Sequence, residues 1–137
     1  MKIVYDSNLI KLMNMFETLT QAKTKDIFMD SESVVFVVQE HELGKALGKH
    51  GSNVRRISEA LNRKIKIVEF NPDVLEFVKN MLYPLRVNQI EEMDGVVTLE
   101  AADLKTRGYI IGRNASNLRA LEEKVRRYFP IKEIKVM

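Results

Sequence analysis

Apolar residues recur at helical spacing near the start of each half of the chain. Residues 8–22 and residues 72–82 both carry apolar side chains three or four positions apart. Because this period follows one face of an α-helix, we predict an amphipathic helix in each segment. Asn71 is the predicted N-cap of the second helix, with Pro72 at its first helical position.

Two strand-like segments follow each of these helices. In the first half they are residues 24–29 and 33–39, the second of which contains the β-rich run VVFVV that we interpret as core. In the second half, residues 85–91 and 95–101 lie on either side of the dipeptide DG, which is typical of hairpin turns. A short helix, a glycine-bearing loop, a longer helix and a final strand (KIKIVEF or IKEIKVM) complete each half. The predicted order is α-β-β-α-α-β, twice, in an α+β fold.

The two halves share an internal repeat. When the chain is shifted by 64 residues, five identical residues align within a 14-residue window, where about one is expected from average residue frequencies. The identities are Gly44 with Gly108, Gly48 with Gly112, Ser52 with Ser116, Asn53 with Asn117 and Arg55 with Arg119. The repeat predicts two similar units. Because about 60 residues form only a marginal core, we expect the units to pack against each other.

Positive charge is concentrated in the same two segments. Residues 44–66 carry seven basic side chains against one acidic one, and residues 108–130 carry five against two. Since the net charge of the whole chain is +3, the remainder of the chain is acidic. Two basic segments on an otherwise acidic chain favour a polyanionic partner. Solvated helix faces are the alternative for either segment taken alone.

The stretch LGKHGSNVRR, residues 47–56, has the features of a phosphate-binding loop. Gly48 and Gly51 permit positive φ and allow another backbone to approach closely. A helix that begins near Ser52 would direct free N–H groups and the positive end of its dipole toward a ligand in the loop. Lys49 adds a mobile charge, and two arginines follow one turn later, where they can bridge phosphates or stack on bases.

A purely structural turn is the alternative interpretation of this loop. In that case Gly48 ends one helix, Ser52 caps the next, and no ligand is needed. A capping turn does not require the arginine that both copies carry, so the duplication favours a ligand. Asn53 and Asn117 fit either hydrogen bonding at the helix start or contact with the ligand.

Composition excludes several other function classes. The chain has no cysteine, and His41 and His50 lack the companions of a zinc cluster, so we expect no metal and no cofactor. We find neither a catalytic triad nor a pair of carboxylates suited to acid–base chemistry, and we expect no enzymatic activity. Because the chain has no run of 18 apolar residues and no signal-like start, we expect a cytoplasmic protein with no membrane partner.

Two other binding modes resemble parts of the loop motif. The stretch GKALGKH is close to a nucleotide-binding phosphate loop, but only three residues separate Gly44 from Gly48. His50 also stands in place of the hydroxyl that would bind Mg²⁺. A helix-turn-helix reader of duplex DNA stays open, because two short helices joined by a glycine turn fit that motif as well.

The sequence LGKHG between two helices, within the order helix-strand-strand-helix-helix-strand, resembles the G-x-x-G loop of the type II K-homology (KH) domain. Two such units in tandem are similar to the archaeal NusA-like transcription termination and antitermination factors, and the resemblance covers nearly the whole chain. It implies two tandem type II KH domains packed together. The first would comprise residues 1–70 and the second residues 71–137.

The resemblance also implies a function. Members of the family bind single-stranded RNA by holding its sugar-phosphate backbone at the G-x-x-G loop and the start of the next helix. The implied role is in transcription elongation or termination, with RNA polymerase or the elongation complex as a further partner. The alternatives are a KH protein of ribosome assembly, a duplex-DNA-binding regulator and a module for protein–protein assembly. The implied RNA-binding residues are Gly48, Lys49, His50, Gly51, Arg55, Arg56, Gly112, Arg113, Asn114, Ala115 and Arg119.

The second loop departs from the family pattern. Its sequence is GRNA, with Ala115 in place of the closing glycine. Ala115 suits the start of a helix, but its methyl group lies where an RNA backbone would approach most closely. We therefore expect the first loop to dominate the affinity for RNA. The second loop is expected to contribute through Arg113 and Arg119 rather than through close backbone contact.

Overall fold

The structure is a computed structural model that describes residues 7–29 and 32–137. It divides into two compact units, of which the first ends at Asn71 and the second is Pro72–Met137. The packing of the two units against each other stays a prediction. Within the described part of the chain, no helix combines the length and the apolar character that crossing a membrane requires.

In its described residues, the first unit contains three α-helices and three strands. Its elements are α1 (Ser7–Thr20), β1 (Thr24–Met29), β2 (Ser33–Val38), α2 (Leu43–Leu47), a 3-10 turn (Lys49–Gly51), α3 (Ser52–Leu61) and β3 (Lys64–Glu69). Strand β2 is central, antiparallel to β1 and parallel to β3. The predicted order of elements is therefore confirmed in this unit.

The second unit repeats this arrangement. Its elements are α4 (Val74–Leu82), β4 (Val87–Met93), β5 (Val96–Ala101), α5 (Leu104–Ile111), a 3-10 turn (Arg113–Ala115), α6 (Ser116–Arg126) and β6 (Glu133–Val136). Strand β5 is central, antiparallel to β4 and parallel to β6. The predicted hairpin is confirmed, because Asp94 and Gly95 have φ values of 51° and 83°, as a tight turn between antiparallel strands requires.

The helices of the first unit cover one face of its sheet. Phe16 of α1 stacks on Phe36 of β2 with ring centroids 4.2 Å apart. Ala46 of α2 and Ile57 of α3 are fully buried in the same cluster. The run Val34–Val38 is buried along its whole length, which confirms its interpretation as core. This core fixes α2 and α3, and with them the loop between the two helices.

The predicted start of α4 is wrong by two residues. Helix α4 begins at Val74, and its N-cap is Asp73 rather than Asn71. Asp73 has an extended backbone, and its carboxylate accepts a hydrogen bond of 2.9 Å from the N–H of Leu75. Because that bond satisfies a free donor of the first turn, Asp73 takes the capping role and Pro72 lies outside the helix.

Candidate nucleic-acid interface

The first loop owes its shape to three residues with positive φ. Gly48 has φ 71° and ψ 177°, His50 has φ 55° and ψ 31°, and Gly51 has φ 70° and ψ 20°. Gly48 ends α2, and its N–H donates to the carbonyl of Gly44 over 3.1 Å. The chain thus turns between Gly48 and Gly51 and enters α3 at Ser52.

Gly48 is required by contacts within the protein as well as by its φ value. A Cβ atom at this position would lie 2.8 Å from Cγ of Asn53 and 3.0 Å from Oγ of Ser52. The Asn53 side chain is held there because its Nδ2 donates to the carbonyl of Lys45 over 3.1 Å. Asn53 therefore links the start of α3 to α2 through a hydrogen bond within the protein.

Ser52 is not the helix cap that the structural interpretation of the loop predicts. Gly51 occupies the N-cap position in a left-handed conformation, and no side chain caps the helix. Ser52 has φ −58° and ψ −37°, so it is already the first residue of the helix. The N–H of Ser52 donates to the carbonyl of Lys49, and Gly51 has no side chain that could cap the N–H groups that follow in the first turn.

The second loop has the same backbone conformation as the first. Gly112, Asn114 and Ala115 have φ and ψ values within about 10° of those of their counterparts. The asparagine bond is repeated too, because Nδ2 of Asn117 donates to the carbonyl of Tyr109 over 2.9 Å. A Cβ atom at Gly112 would lie 2.6 Å from Cγ of Asn117. The sequence repeat is therefore a repeat of loop geometry.

Ala115 does not adopt the right-handed conformation that suits the start of a helix. Its φ of 60° and ψ of 21° place it in the left-handed region, as Gly51 is in the first loop. A left-handed conformation costs a residue with a Cβ atom about 1–2 kcal/mol. Space is nevertheless available, since a Cβ atom at Gly51 would meet only Nη1 of Arg55, at 3.9 Å.

The first loop presents exposed basic side chains. Lys49, His50, Arg55 and Arg56 all have exposed side chains. Nη1 of Arg55 donates to the carbonyl of His50 over 2.8 Å, which holds the guanidinium against the loop. Within residues 7–29 and 32–137, no carboxylate forms an ion pair with Lys49, Arg55 or Arg56. An anion at this loop would meet cations that no carboxylate neutralises.

The second loop differs in the surroundings of its arginines. Arg113 is exposed at the tip of the loop. Arg119, the counterpart of Arg55, donates through Nη1 to Oε1 of Glu122 over 2.8 Å. This hydrogen bond and the negative charge of Glu122 raise the pKa of Arg119 above its ordinary value. The two loops therefore share a backbone but not a distribution of charge.

The helix before each loop has one glycine at which its backbone is exposed, a feature that was not predicted from the sequence. Gly44 of α2 and Gly108 of α5 are exposed, and a Cβ atom at either would have no neighbour within 4 Å. Neither has positive φ, and glycine inside a helix costs roughly 0.5–1 kcal/mol relative to alanine. Each lies one turn before a loop glycine and so faces the same side of its helix. In the sequence, the alignment of these two glycines with each other in the repeat could have indicated this exposed surface.

Known proteins resemble the chain along most of its length. The family model described as "KH domain" matches residues 13–75, which include the first loop. A "Probable transcription termination protein NusA" from Halobacterium salinarum is 32% identical, with 92% of each chain covered. The protein of the same name from Methanococcus vannielii is 29% identical, and the match covers 100% of this chain and 81% of the relative. The one from Thermoplasma acidophilum is 25% identical, and the match covers 98% of this chain and 96% of the relative.

The fold has a solved counterpart as well. The crystal structure of APE1850 superimposes with a TM-score of 0.73 at 21% identity and covers 97% of this chain and 100% of its own. With the KH match and the repeated order of elements, the predicted fold class of two tandem KH units in an α+β protein is confirmed.

Proposed function

Because the chain belongs to the archaeal family of NusA-like transcription termination proteins, we propose that it is a non-catalytic, RNA-binding transcription termination or elongation factor. Its RNA ligand is single-stranded. Residues 1–70 and 71–137 act as the first and second KH domains. RNA polymerase or the elongation complex is a further partner, and the site of action is the cytoplasm. The names of the relatives support the role in transcription.

In this proposal the first loop holds the sugar-phosphate backbone of the RNA. Gly48 and Gly51 give the loop its conformation, and the N–H groups that follow Ser52 in the first turn of α3, which no N-cap side chain covers, bind phosphate. Lys49, His50 and Arg55 surround the same point with positive or hydrogen-bonding groups. Arg56 extends this surface along α3. Among the described residues no carboxylate pairs with Lys49, Arg55 or Arg56, which supports phosphate as the ligand of these three side chains.

The second loop contacts RNA through Arg113 and Arg119 more than through close backbone contact, although its backbone has the same conformation as that of the first loop. Gly112, Asn114 and Ala115 follow the path of the first loop, and Arg113 replaces Lys49 at the tip. Its contribution to affinity is the smaller one, because the cationic surface around it is reduced by the ion pair of Arg119.

The observation that carries the proposal is the bare helix surface at Gly44, next to the cationic loop. A glycine in a helix with no neighbour and no positive φ has no role in the packing of this unit. Its use is to let a flat group approach the helix backbone closely. A nucleobase attached to a backbone held at Gly48–Gly51 is such a group, since single-stranded RNA is read through unstacked bases.

Substitution of Gly44 separates binding from folding. Gly44→Leu places a side chain on the bare surface and adds helix propensity, so we expect equal or higher thermal stability. We expect at least about a tenfold loss of affinity for a short single-stranded RNA in fluorescence anisotropy, because the base can no longer reach the helix. Ala60→Leu, at an exposed position near the far end of α3, is the control. Unchanged RNA affinity in a folded Gly44→Leu protein would refute the proposed mode of binding.

A further inference from the structure

Equivalent arginines of the two units have different partners. In the first unit, Arg55 donates to the carbonyl of His50, inside the loop. In the second unit, Arg119 bonds instead to Glu122, three residues further along α6. The residue at the position of Glu122 in the first unit is Ser58, whose hydroxyl donates to the carbonyl of Arg63. At this position, therefore, the second unit has a carboxylate that pairs with the arginine of the loop, and the first unit has a serine that does not.

Glu122 is itself fixed in place. Its side chain is only 2% exposed, and its Oε2 accepts a hydrogen bond of 2.8 Å from the N–H of Ile134 in β6. Its Oε1 accepts from Arg119 and lies 3.8 Å from Nη2 of Arg126. If Arg119 leaves, this buried carboxylate keeps only the longer contact with Arg126, so its charge is compensated less well, which is costly in a buried position. Release of Arg119 is therefore opposed by the fold of the second unit.

The methyl group of Ala115 does not account for the position of Arg119. In the first loop, the guanidinium of Arg55 lies 3.9 Å from the point where a Cβ atom of Gly51 would be, which is an ordinary contact distance. Because the two loops have the same backbone, an arginine and the Ala115 methyl group could occupy the second loop together. The different positions of the Arg55 and Arg119 side chains are therefore due to Glu122.

We infer that Glu122 is a positioning residue that holds Arg119 away from the second loop and makes that loop the weaker phosphate site. An RNA phosphate at the second loop must compete with a buried carboxylate for this guanidinium, whereas a phosphate at the first loop meets Arg55 without such competition. The inference rests on the proposed function, because it assigns RNA phosphate as the ligand of both loops.

The test compares two substitutions that remove the same charge from adjacent positions of α6. Glu122→Gln removes the buried carboxylate, and Glu123→Gln removes an exposed one. Relative to Glu123→Gln, we expect Glu122→Gln to bind a short single-stranded RNA at least about threefold more tightly, since a charged donor is freed for phosphate. The slope of log affinity against log salt should steepen by about 0.7, the contribution of one additional neutralised phosphate. Adding Arg119→Gln should abolish both changes.

A second comparison does not require substitution of a buried residue. Arg55→Gln and Arg119→Gln each remove an exposed guanidinium, and we expect the loss of RNA affinity to be several-fold larger for Arg55→Gln. The inference would be overturned, even if the protein binds RNA, by equal losses of RNA affinity in Arg55→Gln and Arg119→Gln. Equal RNA affinities of the Glu122→Gln and Glu123→Gln proteins would overturn it as well. If the unaltered protein binds no RNA, or if Arg55→Gln changes nothing, the proposed function fails and the inference with it.

Discussion

The two glycines of the first loop are needed for different reasons. Gly48 combines positive φ with a close contact to Asn53, so any side chain there would meet both backbone strain and a steric clash. Gly51 has positive φ but open space around it. A single methyl group is therefore tolerated at the second position of the pair, and Ala115 occupies that position in the second loop.

We expect Ala115→Gly to raise the free energy of unfolding of the protein by about 0.5–1 kcal/mol, because relief of left-handed strain outweighs the greater freedom of glycine in the unfolded chain. Ala120→Gly, in the interior of α6, is the matched control and should lower the same quantity by about 0.5–1 kcal/mol. Urea denaturation of the three proteins measures both effects. If both substitutions destabilise the protein, the left-handed conformation of Ala115 is wrong.

At the level of elements, the two helices that precede the loops begin in different ways. Helix α5 is capped by Asp103, whose carboxylate accepts a bond of 2.7 Å from the N–H of Thr106. Helix α2 has Glu42 at its N-cap without a side-chain cap bond. Glu42 instead accepts from the N–H of Lys23 over 2.9 Å and pairs with Lys45 at 3.4 Å, which ties the start of α2 to the segment before β1.

The cap of α5 predicts a pH dependence. The hydrogen bond from the N–H of Thr106 lowers the pKa of Asp103 below its ordinary value of 3.8. The contribution of this carboxylate to stability is therefore fully present above pH 3.8 and is lost as the pH falls through the lower pKa of the folded state. Asp103→Asn keeps an acceptor at the cap but does not titrate. The stability difference between wild type and Asp103→Asn should be constant at neutral pH and shrink below about pH 4.

Urea denaturation of both proteins at a series of pH values measures this difference. The other carboxylates are present in both proteins, so their contributions cancel in the stability difference. One of them is Glu42, whose pKa is also lowered, mainly by the hydrogen bond that it accepts from the N–H of Lys23. A difference that stays constant down to pH 3 would show that Asp103 does not cap the helix as described.

The order of elements could be predicted because it rests on local patterns. Helical spacing, the β-rich run VVFVV and the DG turn do not depend on the rest of the fold. The helix starts were less accurate, because Asn71 and Asp73 are both good capping residues and three-dimensional context selects between them. For the same reason Ser52 was assigned a capping role that the left-handed Gly51 makes unnecessary.

The candidate site could be predicted only in part. The loops, their glycines and the basic residues around them were visible as a repeat, although their contacts with RNA stay a prediction. The open surface at Gly44 was not predicted, because a repeated glycine can equally serve a turn, a packing contact or a ligand. The spacing of Arg119 and Glu122 is that of neighbours on a helix, but the burial of Glu122 against β6 depends on residues distant in sequence.

For the whole molecule, the repeat supplies two loops of equal shape and unequal charge. The basic segments 44–66 and 108–130 contain these loops, and the remainder of the chain is acidic. An RNA that contacts both loops would gain affinity from the second loop without any new type of interaction. We therefore expect the first loop to contribute most of the affinity for RNA and the second loop a smaller part.

The most direct test is a fluorescence-anisotropy titration of short single-stranded RNA, matched single-stranded DNA and duplex DNA at two salt concentrations. The proteins are the wild type, Lys49→Asp/His50→Asp, and the control Lys11→Asp/Asn14→Asp, which makes the same change in charge at exposed positions of α1. We expect single-stranded RNA to bind most tightly and only the loop substitution to lower its affinity, by at least about tenfold. The salt slope should become shallower by about 0.7 for each phosphate that the altered loop no longer neutralises. Tighter binding of duplex DNA, or equal RNA affinity of the loop variant and the wild type, would contradict the proposed function.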